Sequence, residues 1–258
     1  MTVSVLTWSA PALDSNANAT FNTGALTVST GSYMHIFITY DNSSSSAITS
    51  VTDTQGLSWT NTQAILDTAD SQKYAEYVST TTTSSTSITI TVNLDIQAVF
   101  NGIAVKEIGG ASGWDSPNGK AGQYQAAPTT TTDATTSTNT GTLSTQPALV
   151  SGFCANSGNA AVPAAGTGFT SNGTGMAIAG AATCRGESKR VTATTAVAAT
   201  FTAAANTAHV TTAVIFKESG GGGGGQITAI GGTNTSSISA VGGVTKTSGF
   251  TAIGGLTV

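Results

Sequence analysis

Charge is what this chain has least of. Only 8% of its 258 residues are Asp, Glu, Lys or Arg, about a third of the usual share for a soluble domain. Eight basic residues against twelve acidic leave a net charge of −4. The basic ones are scattered apart from "CRGESKR" at 184–190, so there is no positive stripe to neutralise phosphates, which speaks against nucleic-acid binding. Long apolar runs are missing too. Nowhere do about 18 apolar residues follow one another, and "MTVSVLTWSAPALDSNANAT" at the N-terminus has neither the positive start nor the apolar stretch of a Sec signal. The expectation is no membrane span and no conventional export signal. Cysteine is scarce: Cys154 and Cys184, in a chain without a signal peptide, are expected reduced rather than bridged.

Motifs for chemistry are equally thin. The two histidines, His35 and His209, sit inside strand-like runs and in no His-x-x-x-His, Cys-x-x-Cys or His-x-Glu pattern, so they are expected as core or partly exposed strand residues rather than zinc ligands. "GASG" at 110–113 falls short of Gly-x-Ser-x-Gly. Six glycines at 220–225 match a dinucleotide fingerprint trivially, but no helix follows to hold a phosphate. Asp41 and Asp53 end strand-like runs and Asp67 and Asp70 flank one loop, where carboxylates ordinarily form turns. No catalytic residue, metal site or cofactor is expected, and the chain is not expected to be an enzyme.

What is abundant is Thr, Ser, Ala, Gly and Asn, with 39% hydrophobic residues, enough for a core if they are patterned. A polar but nearly uncharged surface fits proteins packed together outside cells or in particles better than cytosolic enzymes. Val, Ile and Thr recur with period two in runs such as "YMHIFITYD" (33–41), "AITSVTD" (47–53), "SWTNTQAIL" (58–66), "KYAEYVS" (73–79), "SITITVN" (87–93), "FNGIAVKEIGG" (100–110), "ALVSGFCAN" (148–156) and "AHVTTAVIFKE" (208–218). These are strand signals, separated by turn signals at "DTQG" and "NSGN". No window carries a convincing helical stripe. The expected fold is all-β, an antiparallel β-sandwich of jelly-roll type over 1–218. Within it, 111–147, rich in Thr and poor in apolar residues, is expected to cross the surface as an extended insert with a short strand near Leu143.

Beyond 218 the chain changes character. A linker at 219–225 holds the six glycines, a flexible spacer. It precedes an arm, 226–258, in which "ITAIGG" (227–232), "ISAVGG" (238–243) and "FTAIGG" (250–255) repeat. Ile227, Ile230, Ile238, Val241, Phe250 and Ile253 are the expected assembly contacts. Ordering the arm alone costs more backbone entropy than its few apolar side chains return, so it is expected to order against a partner by strand pairing. Trp114 and Tyr124 are the candidates for an exposed contact.

The succession "ITSVTDTQGLSWT", "KYAEYVS", "SITITVN", "IAVKEIGGAS", "DSP", "ALVSGFCA", "GTGFT" and "AHVTTAVIFKE" resembles a β-sandwich module recurrent in bacteriophage structural proteins and in some bacterial surface proteins. The arm resembles the short I-x-x-I-x-G-V repeats of many phage tail and virion proteins. The resemblance implies a virion component, a capsid decoration, collar or tail-fibre subunit, with other virion subunits as partners, a trimer by analogy, and assembly in the host cytoplasm. The alternative it implies is a receptor- or carbohydrate-binding module of a fibre tip or cell surface, with a host glycan as partner.

Overall fold

The computed structural model describes residues 2–219 apart from 15, 42–44, 68–71, 117, 126–131, 137–139, 144–146, 159–160, 179–181, 193–194 and 205–206; beyond 219 it describes four two-residue strands. The described residues are all-β, with antiparallel sheets throughout and no helix.

In the first half, β1 (Ser4–Asp14), β10 (Asn101–Gly109), β4 (Tyr33–Asp41), β7 (Gln72–Thr81) and β6 (Trp59–Asp67) form one sheet in that order. A smaller sheet of β2 (Asn18–Asn22), β9 (Ile90–Ala98) and β5 (Ile48–Asp53) covers one of its faces, and β3 (Leu26–Thr27) pairs with β8 (Ser87–Ile88). Met34, Ile36 and Ile38 of β4 and Ile103 and Val105 of β10 pack there against Phe21, Ile90 and Val92.

The second half repeats this plan. β11 (Ala111–Trp114) and β12 (Lys120–Gln125) both pair with β19 (His209–Glu218), followed by β14 (Ala148–Ser157), β17 (Ala182–Val191) and β16 (Thr170–Ile178). The small sheet is β13 (Thr132–Thr136), β18 (Thr200–Ala204) and β15 (Ala164–Ala165), whose Phe201 packs with Val150, Cys154, Ala213 and Ile215 of the large one.

The two large sheets then pack on each other through their remaining faces. Phe37, Tyr74 and Ala104 meet Phe153, Ala155, Cys184 and Val210, and Val78 and Ile108 meet Leu149, Val214 and Phe216. Where one sandwich is expected over 1–218, the sheets lie in four layers. This explains why β4, β10, β14 and β19 are nearly continuously buried: a strand covered on both faces must be apolar or internally paired at every position.

Where 111–147 is expected as an extended surface insert, its described strands lie in the sheets. β11 and β12 extend the large sheet and β13 joins the small one. These are edge strands, for which Thr, Gly and Gln suffice because only one side is paired. No strand forms at Leu143, although its side chain is buried. In the arm, β20 (Ala240–Val241) pairs with β21 (Val244–Thr245), and β22 (Ala252–Ile253) with β23 (Leu256–Thr257). Only Gly242-Gly243 and Gly254-Gly255 lie between the paired strands, the connection length of the tightest hairpins, which glycine favours.

Candidate functional site

The concentration of chemically capable side chains lies where the two large sheets meet, on the inward phase of β4, β7, β10, β14 and β19. His35, Glu76, Lys106, Ser151 and Thr212 are all buried there, none more than 1% exposed. His35 Nε2 lies 2.8 Å from Glu76 Oε1 and His35 Nδ1 2.9 Å from Ser151 Oγ. Glu76 also accepts from Thr212 Oγ1 at 2.8 Å and Thr62 Oγ1 at 2.8 Å. Lys106 Nζ donates to Ser151 Oγ at 3.0 Å, the Gly152 carbonyl at 2.7 Å and the Glu187 carbonyl at 2.9 Å, and stands 4.2 Å from the centre of the Phe153 ring.

These partners fix the proton positions. A carboxylate beside Nε2 requires a proton there, so Nδ1 accepts from the Ser151 hydroxyl, which in turn accepts from Lys106. The result is a directed chain from Lys106 through Ser151 and His35 to Glu76. Burial pushes the His35 imidazole below its ordinary range, with Glu76 partly opposing, so the ring is neutral at neutral pH. Burial also pushes the Lys106 ammonium down to about 7, against the opposing pull of Glu187 and Glu76.

Serine, histidine and carboxylate in line is the order of an acyl-transfer triad. Here it is sealed between two sheets, and its serine hydroxyl is already engaged on both sides, so no acyl group can reach it without the sheets parting. As placed, the cluster ties β4, β7 and β10 of the first half to β14, β17 and β19 of the second. Among its side chains no buried polar atom is left without a partner, as a buried polar network requires.

Elsewhere, a half-open pocket of about 240 Å³ is lined by Thr7, Ser9, Leu26, Thr27, Val28, Met34 and Val105, below the usual size for a small-molecule site. Among the described residues no group of three or more His, Cys, Asp and Glu is placed to hold a metal ion. Asp53 is a turn former: its carboxylate accepts from the Gln55 and Leu57 amides and from Trp59 Nε1 at 2.7 Å. Asp67 is buried and accepts from Ser157 across the halves; Asp70 lies outside the described residues. His209 is buried, with Gln125 Oε1 2.6 Å from its Nε2.

Of the expected contact residues, Trp114 is half-buried against the Leu149–Phe216 cluster, and Tyr124 against the Phe37–Phe153 cluster; each packs into a core and they do not form one platform. Ile227, Ile230, Ile238 and Phe250 lie outside the described residues, while Val241 and Ile253 lie in β20 and β22. The network residues Glu76, Lys106, Ser151 and Thr212 were not among the sequence candidates. The signal for two of them is a charge on the inward phase of an apolar run, Glu in "KYAEYVS" and Lys in "IAVKEIGG".

Cys154 and Cys184 are both buried and free. Cys184 pairs with Ala155 across β14 and β17, so it and Cys154 project from opposite faces of the sheet, and no bridge forms without a register slip. Burial raises both thiols, Cys184 to about 12. Both are expected to resist a thiol reagent in the folded protein at pH 8 and to react in denaturant with a stoichiometry of two. A native-state disulfide in the intact mass would contradict the register.

No family model, curated protein or solved structure matches this chain.

Proposed function

We propose that the protein is a structural component of a phage particle, a capsid decoration, collar or tail-fibre subunit, that assembles through its C-terminal arm. The observation that carries this reading is the arm. Three Ile/Phe-x-Ala-Ile/Val-Gly-Gly repeats stand behind six glycines, and the second and third place their strands two residues apart as short pairs. A two-stranded pair of this length is not stable alone, so the repeats call for a surface that completes them. A surface with few charges offers little of the repulsion that keeps subunits apart. The partners are other virion subunits, with a homotrimer as the favoured state.

We also read each half as a variant jelly roll. Counting eight main strands in chain order, with β11 and β12 taken together and β3 and β8 set aside, both halves run 1-8-3-6-5 in the large sheet and 2-7-4 in the small one. This departs from the jelly-roll order only in the fifth strand, which lies beside the sixth rather than the fourth.

Deleting 220–258, or replacing Ile230, Val241 and Ile253 with Asp, is expected to abolish incorporation into particles, read by mass-spectrometric inventory of the purified particles. The melting temperature of the remainder should stay within about 1 °C, because every long buried strand among the described residues lies before 219. Wild-type occupancy of the mutant would overturn the reading; sugar affinity on a glycan array without incorporation would favour the receptor-binding alternative.

A further inference from the structure

We propose that the two halves, 1–110 and 111–218, are copies of one sandwich that have diverged into a complementary pair, so that the inward face of each accepts the other and not its own kind. The shared strand order is the first support, and residue equivalence the second. Phe37 on β4 lies between Ala104 on β10 and Glu76 on β7; Phe153 on β14 lies between Thr212 on β19 and Gly186 on β17. β7 and β17 are both ten residues long, and Glu76 and Gly186 are each fifth in their strand, so their partners Phe37 and Phe153 correspond, and two residues back His35 corresponds to Ser151. Glu76 thereby corresponds to Gly186 and, by the same registers, Lys106 to Val214.

Counterparts meet each other across the interface. Phe37 and Phe153 stack with centroids 5.1 Å apart and planes 18° apart, and His35 bonds Ser151. The edges follow the same rule: β1 contacts β16, and β12, the counterpart of β1, contacts β6, the counterpart of β16. A residue that touches its own counterpart lies on a twofold axis, which is the geometry of an isologous dimer. The interface is built like that of a homodimer whose subunits have been joined through Gly110.

The joined copies are no longer alike where they touch. The first carries His35, Glu76 and Lys106; the second has Ser151, Gly186 and Val214 at those places. Gly186 makes room for Lys106. A Cβ there would stand 2.5 Å from Lys106 Cε and 2.7 Å from Trp8 Cζ3, so the glutamate of the first copy does not fit opposite Lys106. A first–first pairing puts Glu76 against Lys106 in that slot twice over. A second–second pairing has neither the ammonium for the Gly152 carbonyl nor the carboxylate for Thr212. Selectivity comes from what clashes as well as from what pairs.

The test uses the full chain with a protease recognition sequence inserted between Gly110 and Ala111, cut after folding. Labelled and unlabelled cut protein are mixed in denaturant and refolded together, and native mass spectrometry reads the complexes. The expected result is label-scrambled complexes of one first half with one second half and no others. First–first or second–second complexes at a statistical share would overturn the proposal. The cut protein that has never been denatured gives an independent reading that does not depend on refolding. There Gly186→Glu is expected to weaken association of the halves by roughly ten- to hundredfold, since overpacking costs about 1–3 kcal/mol. Halves held as tightly as in the unsubstituted protein would overturn it equally.

Discussion

Lys106→Met is expected to lower folding stability by about 3–5 kcal/mol, because three buried acceptors lose their donor, read by urea unfolding at pH 7. Methionine keeps most of the side-chain volume against Phe153 and Gly186, so the loss reports hydrogen bonding rather than a cavity. Three acceptors lose their donor, Ser151 Oγ and the carbonyls of Gly152 and Glu187, each buried acceptor left bare costing about 1–3 kcal/mol. The methionine avoids the ammonium's desolvation, which is why the expected total is less than the sum of those three. A variant as stable as the wild type would mean that the Lys106 hydrogen bonds do not hold the layers together.

The same residue sets a pH dependence with a definite sign. Burial brings the folded-state Lys106 ammonium down to about 7, whereas a lysine in the unfolded chain titrates near 10.4. Between those values the unfolded chain holds a proton that the folded chain has shed. This contribution to stability is complete above the unfolded value and is lost as pH falls toward 7. The methionine variant lacks it, so the gap between wild type and variant should widen as pH is raised from 7 to 9.5. Glu187 works the other way: burial lifts its carboxyl to about 7, so its contribution is full below the ordinary carboxylate range and is lost as pH rises through 7. It is present in both proteins, but Lys106 pulls the Glu187 carboxyl down, so in the variant that carboxyl sits higher and its loss of stability extends further up in pH, in the same direction as the widening gap.

Much of the chain was legible where one face of a strand is covered. β5 and β6 fall where the alternation of "AITSVTD" and "SWTNTQAIL" puts them. β4 coincides with "YMHIFITYD", but the alternation there separates two buried faces, Met34, Ile36 and Ile38 from His35 and Phe37, rather than core from solvent. Period two cannot tell these cases apart, so four layers read as two. β2, β12 and β13 escaped for the opposite reason: "NATFN", "KAGQYQ" and "TDATT" are edge strands held by backbone pairing, which leaves little mark on composition. The network escaped because its members come from five strands that only the packing of the halves brings together. The glycine at 186, on β17, carries information only once Lys106 is seen opposite.

The stacked pair at the centre gives the sharpest reading of that packing. Phe153→Ala is expected to cost about 3–5 kcal/mol, as large aromatic truncations in a closed core do. Phe153 is fully buried, stacked on Phe37 at 5.1 Å, edge-on to His35 at 4.8 Å and 5.8 Å from Trp8, and it lies under Lys106. Phe37→Ala should cost a similar amount, since Phe37 is equally buried and also stacks on Tyr74 at 5.6 Å. The double variant is the informative one. Once either ring is gone, the other has lost its stacking partner and faces a cavity, so the two losses should fall short of additive by about 0.5–1.5 kcal/mol, the range of an aromatic pair in a double-mutant cycle. Phe201→Ala supplies the control. That ring is also buried, but it belongs to the cluster between β14, β19 and the small sheet of the second half, on the far side of a sheet from Phe37. Sheets pack about 10 Å apart, so Phe37→Ala and Phe201→Ala should add within about 0.5 kcal/mol. Urea unfolding of the three single and two double variants decides it: additivity at Phe37 and Phe153 would mean that the faces of the two halves are not in contact in solution.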